Sequence, residues 1–306
     1  MLISFDRILE EVPRQQKKTI AIAAAADPVI IEAVREVESV RGISKCLLTG
    51  KKSEIMKAAE KVGYAIDENC IFEAANDKAA AEAAVKLVRS GEADLPMKGQ
   101  IQTSDYLRAI LNGDWGLRGS GMLSHAGVYE LKDGRPIILT DCAMTIAPSL
   151  EEKIKIVENA ITVARGLNCD IPKVAMLSFL ELVNLASDNS KDAAIIAKMS
   201  ERGQIKNCII DGPLAYDNAV YSDAAEHKGI HSAVAGNADI LVVPNIEVGN
   251  PLSKALSMTA GLRFGGLIVG ATVPVIMTPR ADPVTSKIFS ISLCQYLLNR
   301  QRELTA

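Results

Sequence analysis

Strand-like and helix-like segments alternate along almost the whole chain. Short apolar runs at residues 19–25, 174–177 and 240–243 have the length and composition of buried strands. Segments with the apolar spacing that is typical of helices follow such runs, for example at residues 77–89. This order predicts βαβ units, in which helices cover a mostly parallel sheet. We therefore expect an α/β fold.

Local capping signals indicate where several helices begin. Ser149 and Glu152 have the spacing of a capping box, and the apolar side chains after them form one helix face. Three further starts combine an N-cap residue with proline at the first helical position: Asp27-Pro28, Asn250-Pro251 and Asp282-Pro283.

The alternation is interrupted between residues 121 and 141. Met122–Leu131 and Pro136–Thr140 have the character of strands, and the Asp-Gly pair in the turn 132–134 predicts an antiparallel hairpin. A chain of 306 residues is long enough for two α/β domains. We place the end of the first domain at this hairpin.

Charge and hydropathy exclude two classes of partner. The formal net charge is −3 and no basic tract of five or more residues occurs, so nucleic acid is not expected as a partner. No apolar run reaches the roughly 18–20 residues that a membrane-spanning helix needs. The first ten residues carry charges and do not form a signal peptide. We expect a cytoplasmic protein without a membrane partner.

The cysteines and histidines show no metal-binding pattern. The chain has six cysteines and three histidines, and no C-x-x-C pair occurs. We expect reduced, buried thiols and no metal. Cys142, which follows Asp141 at a predicted strand end, is a minor candidate for a nucleophile.

Four loops carry the candidate functional residues, because ligands of open parallel sheets bind beyond the carboxyl ends of the strands. The loops are residues 96–103, with Lys98, Gly99 and Thr103; residues 112–125, with Arg118, Ser124 and His125; residues 244–254, with Asn245, Gly249, Asn250 and Lys254; and residues 278–283, with Arg280 and Asp282.

The chemistry of these residues favours an anionic ligand. Gly99 allows close approach and Lys98 supplies charge, although a plain βα turn is the structural alternative. Arg280 beside a helix start combines a forked donor with the helix dipole, and an ion pair with Asp282 is the alternative. His125 is either a general base or a hydrogen-bonded structural residue.

The sequence does not match three well-known catalytic or nucleotide-binding motifs. Gly50-Lys51-Lys52-Ser53 lacks the earlier glycine of a Walker motif, and Gly119-Ser120-Gly121 lacks the third glycine of a dinucleotide fingerprint. No G-x-S-x-G elbow occurs, so the sequence does not support serine hydrolase chemistry.

Ordered motifs along nearly the whole chain resemble one known family. They are Lys18–Ala25, Met97-Lys98-Gly99 with Thr103, Gly116-Leu117-Arg118, Leu123-Ser124-His125, Thr140-Asp141, Ile146–Lys153, Asp211-Gly212-Pro213-Leu214, Pro244–Asn250 and Arg280-Ala281-Asp282. With these residues the chain resembles the phosphate acetyl/butyryl transferases, and most of all their phosphate butyryltransferase branch.

The resemblance implies a fold and an activity. The expected fold has two α/β/α domains around a cleft, like isocitrate and isopropylmalate dehydrogenases, with residues 1–142 plus 283–306 in the first domain and residues 143–282 in the second. The implied reaction transfers a butyryl or branched short-chain acyl group reversibly between coenzyme A (CoA) and inorganic phosphate. It needs no metal or redox cofactor. The family also implies a homodimer or higher oligomer.

The resemblance further implies roles for the loop residues. Arg280 would hold phosphate and offset charge on the tetrahedral oxyanion, and Ser124 or His125 would donate a hydrogen bond or shuttle a proton. Lys98, Arg118 or Lys254 would meet the phosphates of CoA. The other loop residues named above, from Gly99 to Asp282, would complete the substrate site.

Two positions depart from the family pattern. The family usually has serine immediately before the arginine that matches Arg280, where this chain has Pro279. The acetyl-specific branch has aspartate six residues after that arginine, where this chain has Ser286. Another group must therefore assist the thiol or the phosphate, or the reaction relies on positioning and charge.

Two alternative functions stay open. A phosphate acyltransferase that takes its acyl group from acyl carrier protein shares this architecture, but the chain lacks a strong basic docking patch. A regulator that binds CoA or acyl phosphate without catalysis would explain Pro279.

Overall fold

A computed structural model describes residues 1–119, 121–280 and 282–305, with side chains described up to Gln301. Ser120, Ala281 and Ala306, of which the first two belong to motifs discussed above, lie outside the described residues. No helix in the described part of the chain is long and apolar enough to cross a membrane.

The described residues form eleven α-helices and eleven strands. In chain order the helices are α1 Phe5–Glu11, α2 Pro28–Arg35, α3 Lys52–Val62, α4 Asp77–Arg89, α5 Thr103–Ile110, α6 Leu150–Gly166, α7 Asp188–Glu201, α8 Tyr216–Val220, α9 Ser222–His227, α10 Ile246–Lys254 and α11 Val284–Thr305. The strands are β1 Lys18–Ala23, β2 Ser44–Gly50, β3 Ile71–Glu73, β4 Leu95–Lys98, β5 Ser124–Glu130, β6 Pro136–Thr140, β7 Lys173–Leu177, β8 Ile209–Leu214, β9 Ile240–Val242, β10 Arg263–Val269 and β11 Val275–Ile276.

The chain divides into two compact units. We name the two units by their place along the chain, not in space. The outer unit consists of residues 5–121 and 265–306, and the inner unit consists of residues 1–4 and 122–264. The domain boundaries after residues 142 and 282 that the sequence suggested stay a prediction.

The sheet of the outer unit has the strand order β3-β2-β1-β4-β11-β10. Its pairs are parallel except for β10 and β11. Helix α11 packs against α1 and α2, and all of its residues from Lys287 to Asn299 are buried. Because β1 and β11 each pair with β4 in parallel, the carboxyl ends of these three strands meet at one edge of the sheet. Ligand sites of parallel sheets form at such an edge.

The sheet of the inner unit has the order β5-β6-β9-β7-β8. Strands β5 and β6 form the predicted antiparallel hairpin, and the other pairs are parallel. Its core includes Tyr129, Leu139, Leu241 and Phe264, each of which is at most 4% exposed. The mixed, mostly parallel α/β architecture expected from the sequence is confirmed.

The capping predictions have different outcomes. Ser149 accepts a hydrogen bond from the Glu152 backbone and closes the predicted capping box of α6. The helix start predicted at Asn250-Pro251 is wrong, because α10 begins earlier and Pro251 lies inside it. Asn245 is the N-cap, since its side chain accepts a hydrogen bond from the Val248 backbone at 3.0 Å.

Candidate functional site

The loop after β4 packs tightly on the end of β1. The backbone N–H of Gly99 donates to the carbonyl oxygen of Ala23 at 2.9 Å. A Cβ atom at Gly99 would lie closer than 3.0 Å to the carbonyl oxygens of both Ala23 and Ala24. Only glycine therefore fits here, and its close packing fixes Lys98 at the carboxyl edge of the sheet.

Two buried lysines lie at this edge. Lys98 is 3% exposed and Lys287, from the first turn of α11, is 2% exposed. The ammonium of Lys98 donates to the carbonyl oxygen of Gly99 at 3.3 Å. That of Lys287 donates to the carbonyl oxygens of Pro279 at 3.3 Å and Asp282 at 3.1 Å. Within the described residues neither ammonium forms an ion pair, so both retain charge that an anionic ligand can neutralise.

Arg280 adds a third positive charge. Its side chain is exposed, and it directly precedes the segment that leads into α11. Burial, together with the charges of Arg280 and Lys287, lowers the pKa of Lys98 to about 8. We call Lys98, Arg280 and Lys287 the cationic cluster. Mutual repulsion of this kind indicates a site that is completed by an anion.

Asp282 lies beside the cationic cluster. Burial raises the pKa of its carboxyl group to about 6, and the charges of Lys287 and Lys98 partly oppose that effect. Its Oδ2 atom is buried and accepts no hydrogen bond from the described residues. Asp27, the other carboxylate near Lys287, has both oxygens occupied, by the Ile30 backbone at 3.0 Å and by Gln100 at 2.7 Å.

A cavity of about 650 Å³ opens at the carboxyl ends of β1, β2 and β3. Its lining includes Ala24, Gly50, Asn76 and Gln100. Gln100 follows the Lys98-Gly99 pair in the loop after β4, so this cavity and the cationic cluster share one edge of the sheet. Its volume is in the range of small-molecule sites.

Thr103 and Arg118 occupy the remaining predicted positions of the outer unit. Thr103 begins α5. Arg118 is exposed, and its backbone bridges to Ala271, while a Cβ atom at Gly119 would collide with the carbonyl oxygen of Gly270. Gly119 thus lets this segment run along the turn between β10 and β11.

The predicted residues of the inner unit centre on Cys142. The Nδ1 atom of His125 lies 3.1 Å from its Sγ atom, and both side chains are buried. Burial, with a smaller contribution from the charge of Asp141, raises the pKa of the Cys142 thiol to about 12. Burial also lowers the pKa of His125, with Asp141 opposing. The thiol therefore donates to a neutral imidazole, which disfavours Cys142 as a nucleophile.

The remaining inner residues lie on β5 and α10. The Ser124 hydroxyl is fully buried and accepts a hydrogen bond from the Asn159 amide at 2.8 Å. A Cβ atom at Gly249 would collide with Cys142, and the Asn250 amide donates to the Cys142 carbonyl oxygen at 3.3 Å. Lys254 is exposed at the end of α10. Gly249 and Asn250 thus fix the Cys142 backbone.

Lys287 was missed by the sequence analysis. It precedes the apolar run Ile288-Phe289 in the last helix, and a lone lysine in such a helix looks like a surface charge that borders the core. A sequence signal is its place at the start of the largely apolar stretch 288–298, but that stretch does not by itself show that the lysine is buried. No group of three or more potential metal-ligating side chains occurs among the described residues.

Comparison with known proteins identifies the family. The sequence profile described as phosphate acetyl/butaryl transferase matches residues 72–294. The chain belongs to this family. The phosphate butyryltransferase of Clostridium beijerinckii is 40% identical over 300 residues, which cover 98% of this chain and 99% of that protein.

Solved structures agree with this membership of the phosphate acetyl/butyryl transferase family. A branched-chain phosphotransacylase from Enterococcus faecalis V583 has a TM-score of 0.82 and 33% identity, and the match covers 92% of this chain and 99% of that one. A putative 4-hydroxythreonine-4-phosphate dehydrogenase from Salmonella typhimurium has a TM-score of 0.56 at 15% identity, with 92% of this chain and 100% of that chain covered. The last match shows a shared dehydrogenase-like fold alone.

Proposed function

We propose that the protein transfers a short-chain acyl group reversibly between CoA and inorganic phosphate. The observation that carries this proposal is the cationic cluster, in which Lys98 and Lys287 are buried without an ion-pair partner among the described residues, in a chain of this family. Phosphate and acyl phosphate are the anions that such a cluster neutralises best in this reaction.

The chemistry is direct transfer in a ternary complex. An oxygen of phosphate attacks the thioester carbonyl, and the thiolate of CoA leaves. Arg280 holds phosphate and stabilises the oxyanion, while Lys98 and Lys287 supply fixed positive charge without reorganisation. Gly99 lets the loop after β4 pack on the end of β1. Asp282 and Thr103 complete this part of the substrate site.

The predicted residues of the inner unit are proposed for the roles that the sequence suggested. The Ser124 hydroxyl accepts a hydrogen bond from the Asn159 amide and still has its own proton to donate, so Ser124 and His125 are both kept as candidate donors. The Nδ1 atom of His125 faces the Cys142 thiol, which leaves the proton on Nε2 for a substrate oxygen. The remaining predicted residues would contact CoA: Arg118, Asn245, Gly249, Asn250 and Lys254.

The acyl group is proposed from the relatives. The names of the C. beijerinckii and E. faecalis proteins refer to butyryl and branched-chain groups. We extend both to this chain as expected substrates, with acyl-CoA and inorganic phosphate as its small-molecule partners. A cytoplasmic homodimer or higher oligomer completes the proposal.

The test is thiol release from butyryl-CoA with and without inorganic phosphate. Phosphate-dependent release is expected, and acetyl-, isobutyryl- and isovaleryl-CoA will define the acyl range. Arg280→Ala should lose about 2–4 kcal/mol of transition-state stabilisation. The exposed Arg14→Ala variant is the matched control and should keep the wild-type rate.

One alternative retains an observation in its favour. Pro279 stands where the family usually has serine, which a non-catalytic CoA-binding regulator would explain. Binding of CoA without thiol release from any of the four donors would establish that regulator and refute the transferase.

A further inference from the structure

We propose that Tyr129 and Ser253 are positioning residues that act through Cys142 to keep the proton of His125 on its Nε2 atom. The proposal rests on the proposed acyl transfer, in which His125 is a candidate proton donor. All four residues belong to the inner unit, and Tyr129 and Ser253 lie outside the sequence motifs named above.

The four side chains form a continuous line of hydrogen-bonding contacts. The hydroxyl oxygen of Tyr129 lies 2.6 Å from the Oγ atom of Ser253. Burial raises the pKa of the Cys142 thiol, and a hydrogen bond from the Ser253 hydroxyl opposes that effect. The Sγ atom of Cys142 in turn lies 3.1 Å from the Nδ1 atom of His125. We call Tyr129, Ser253, Cys142 and His125 the relay.

Strand β5 and helix α10 hold the relay in place. His125 and Tyr129 are four residues apart on β5, so their side chains point to the same face of the sheet, and both are buried. Ser253 lies one helical turn after Gly249, where a Cβ atom would come within 3.0 Å of the Cys142 backbone. Because Gly249 has no side chain, α10 approaches Cys142 closely enough for Ser253 to reach the thiol.

The number of protons gives the relay a direction. Tyr129, Ser253 and Cys142 each carry one proton, and the relay has three contacts to fill. With the ring proton on Nε2, each contact receives one proton: Tyr129 donates to Ser253, Ser253 to the thiol, and the thiol to Nδ1. With the ring proton on Nδ1, four protons share three contacts, and the surplus proton belongs to the buried Tyr129 hydroxyl. A surplus buried donor is unfavourable, so the relay favours the proton on Nε2.

The tautomer matters because the ring is neutral. Burial lowers the pKa of His125, and the charge of Asp141 opposes this effect. A neutral imidazole carries a single proton, so one ring nitrogen donates and the other accepts. In the proposed reaction, Nε2 with the proton can donate to a substrate oxygen, whereas Nε2 without it can only accept. Tyr129 and Ser253 thus decide which of these two roles His125 performs.

The experiment reads the tautomer of His125 by ¹⁵N NMR of histidine-labelled protein near neutral pH. The chain has three histidines, of which His227 and His231 are exposed and serve as internal references. Loss of one signal in His125→Gln assigns the buried ring. The wild type should carry the proton on Nε2.

Ser253→Ala and the isosteric Tyr129→Phe should raise the fraction with the proton on Nδ1 by about three- to tenfold. In Ser253→Ala the surplus proton belongs to the thiol, which is a weak donor. In Tyr129→Phe it belongs to the half-buried Ser253 hydroxyl, which can reach water. Both variants should lower the kcat of phosphate-dependent thiol release about two- to tenfold and leave the KM for phosphate unchanged.

Two variants are matched controls for these substitutions. Ser257→Ala removes the next serine along the chain, whose hydroxyl donates to the Ser253 carbonyl oxygen at 2.9 Å, and Tyr221→Phe removes an exposed phenol. Both should keep the wild-type tautomer and kcat. Cys142→Ser, which retains a donor to Nδ1, should keep more of the kcat than Cys142→Ala.

Two results would overturn the proposal: a wild-type ring with its proton on Nδ1, or an unchanged tautomer in both Ser253→Ala and Tyr129→Phe. The tautomer is measured without substrate, so it tests the relay directly. A wild-type protein that shows no phosphate-dependent thiol release would instead refute the proposed function, and the two failures are therefore distinguishable.

Discussion

The Nδ1 atom of His125 lies 3.1 Å from the Sγ atom of Cys142 in the core of the inner unit. His125 lies in β5, and Cys142 lies in the turn after β6, the strand that pairs with β5. The cysteine is 1% exposed. The contact makes Cys142 a hydrogen-bond donor to the imidazole and keeps it out of solvent. The pair thus orients a neutral histidine.

Alkylation should reveal this protection of Cys142. Burial raises its pKa to about 12, so the native protein should react with iodoacetamide at Cys142 only when it unfolds. The half-buried Cys70 and Cys208 are the internal controls and should react first. Mass spectrometry of timed samples measures the order, and early modification of Cys142 in the folded protein would contradict it.

Gly99→Ala should damage both stability and activity. The added methyl group would meet two backbone carbonyl oxygens, which cannot move like a side chain, so we expect about 1–3 kcal/mol of destabilisation and a large loss of kcat. Gly113→Ala is the matched control, since nothing lies within 4 Å of its Cβ position and it should be neutral. Urea unfolding and the thiol-release assay check both variants.

Lys98→Met should be more stable than the wild type but inactive. The folded protein releases the Lys98 proton near pH 8, whereas its ordinary pKa is 10.5, so the charged form costs stability at pH 7. That cost disappears as the pH rises from about 8 to 10.5, because only the unfolded chain still binds the proton there. We expect a gain of about 1–3 kcal/mol at pH 7.

Thermal unfolding at pH 7 and pH 10 measures this gain, which should be smaller at pH 10. Phosphate should raise the Tm of the wild type more than that of Lys98→Met, because the variant has lost part of the anion site. The exposed Lys57→Met variant is the control and should behave like the wild type in both respects. Equal activity of Lys98→Met and wild type would remove Lys98 from the proposed site.

Asp192→Ala should destabilise the inner unit. Lys153 is 4% exposed, and its ammonium donates to Asp192 and to Asn189, each at 2.7 Å. Removal of the carboxylate leaves a buried charge with one neutral partner, at a cost of about 2–4 kcal/mol. The exposed pair of Lys155 with Glu158 is the comparison, and Glu158→Ala should leave the urea midpoint unchanged.

Local patterns predicted most of the secondary structure. The capping box at Ser149 and the hairpin before residue 141 were predicted correctly, because caps and tight turns depend on residues that are neighbours in sequence. The cap at Asn250 was wrong for the same local reason, since Asn245 is an equally good cap residue and lies closer to the end of β9. Sequence alone does not rank two such caps.

The candidate site was predicted only in part. The sequence identified Lys98, Arg280 and Asp282 from their loops, but it could not show that Lys287 is buried beside them. Burial of a lysine depends on how α11 packs on the sheet, and that packing joins segments from both ends of the chain. The contact between His125 and Cys142 likewise requires the register of β5 against β6.

The sequence by itself determined the α/β class, the helix starts with strong caps, the loops that carry charged residues and the family resemblance. These features depend on residue identity or on residues that are neighbours in sequence, so they can be recognised from the sequence alone. Only the tertiary structure decided which charges are buried and which carboxylate oxygen lacks a donor. Both depend on long-range packing, which sets the solvation and the partners of Lys98, Lys287 and Asp282.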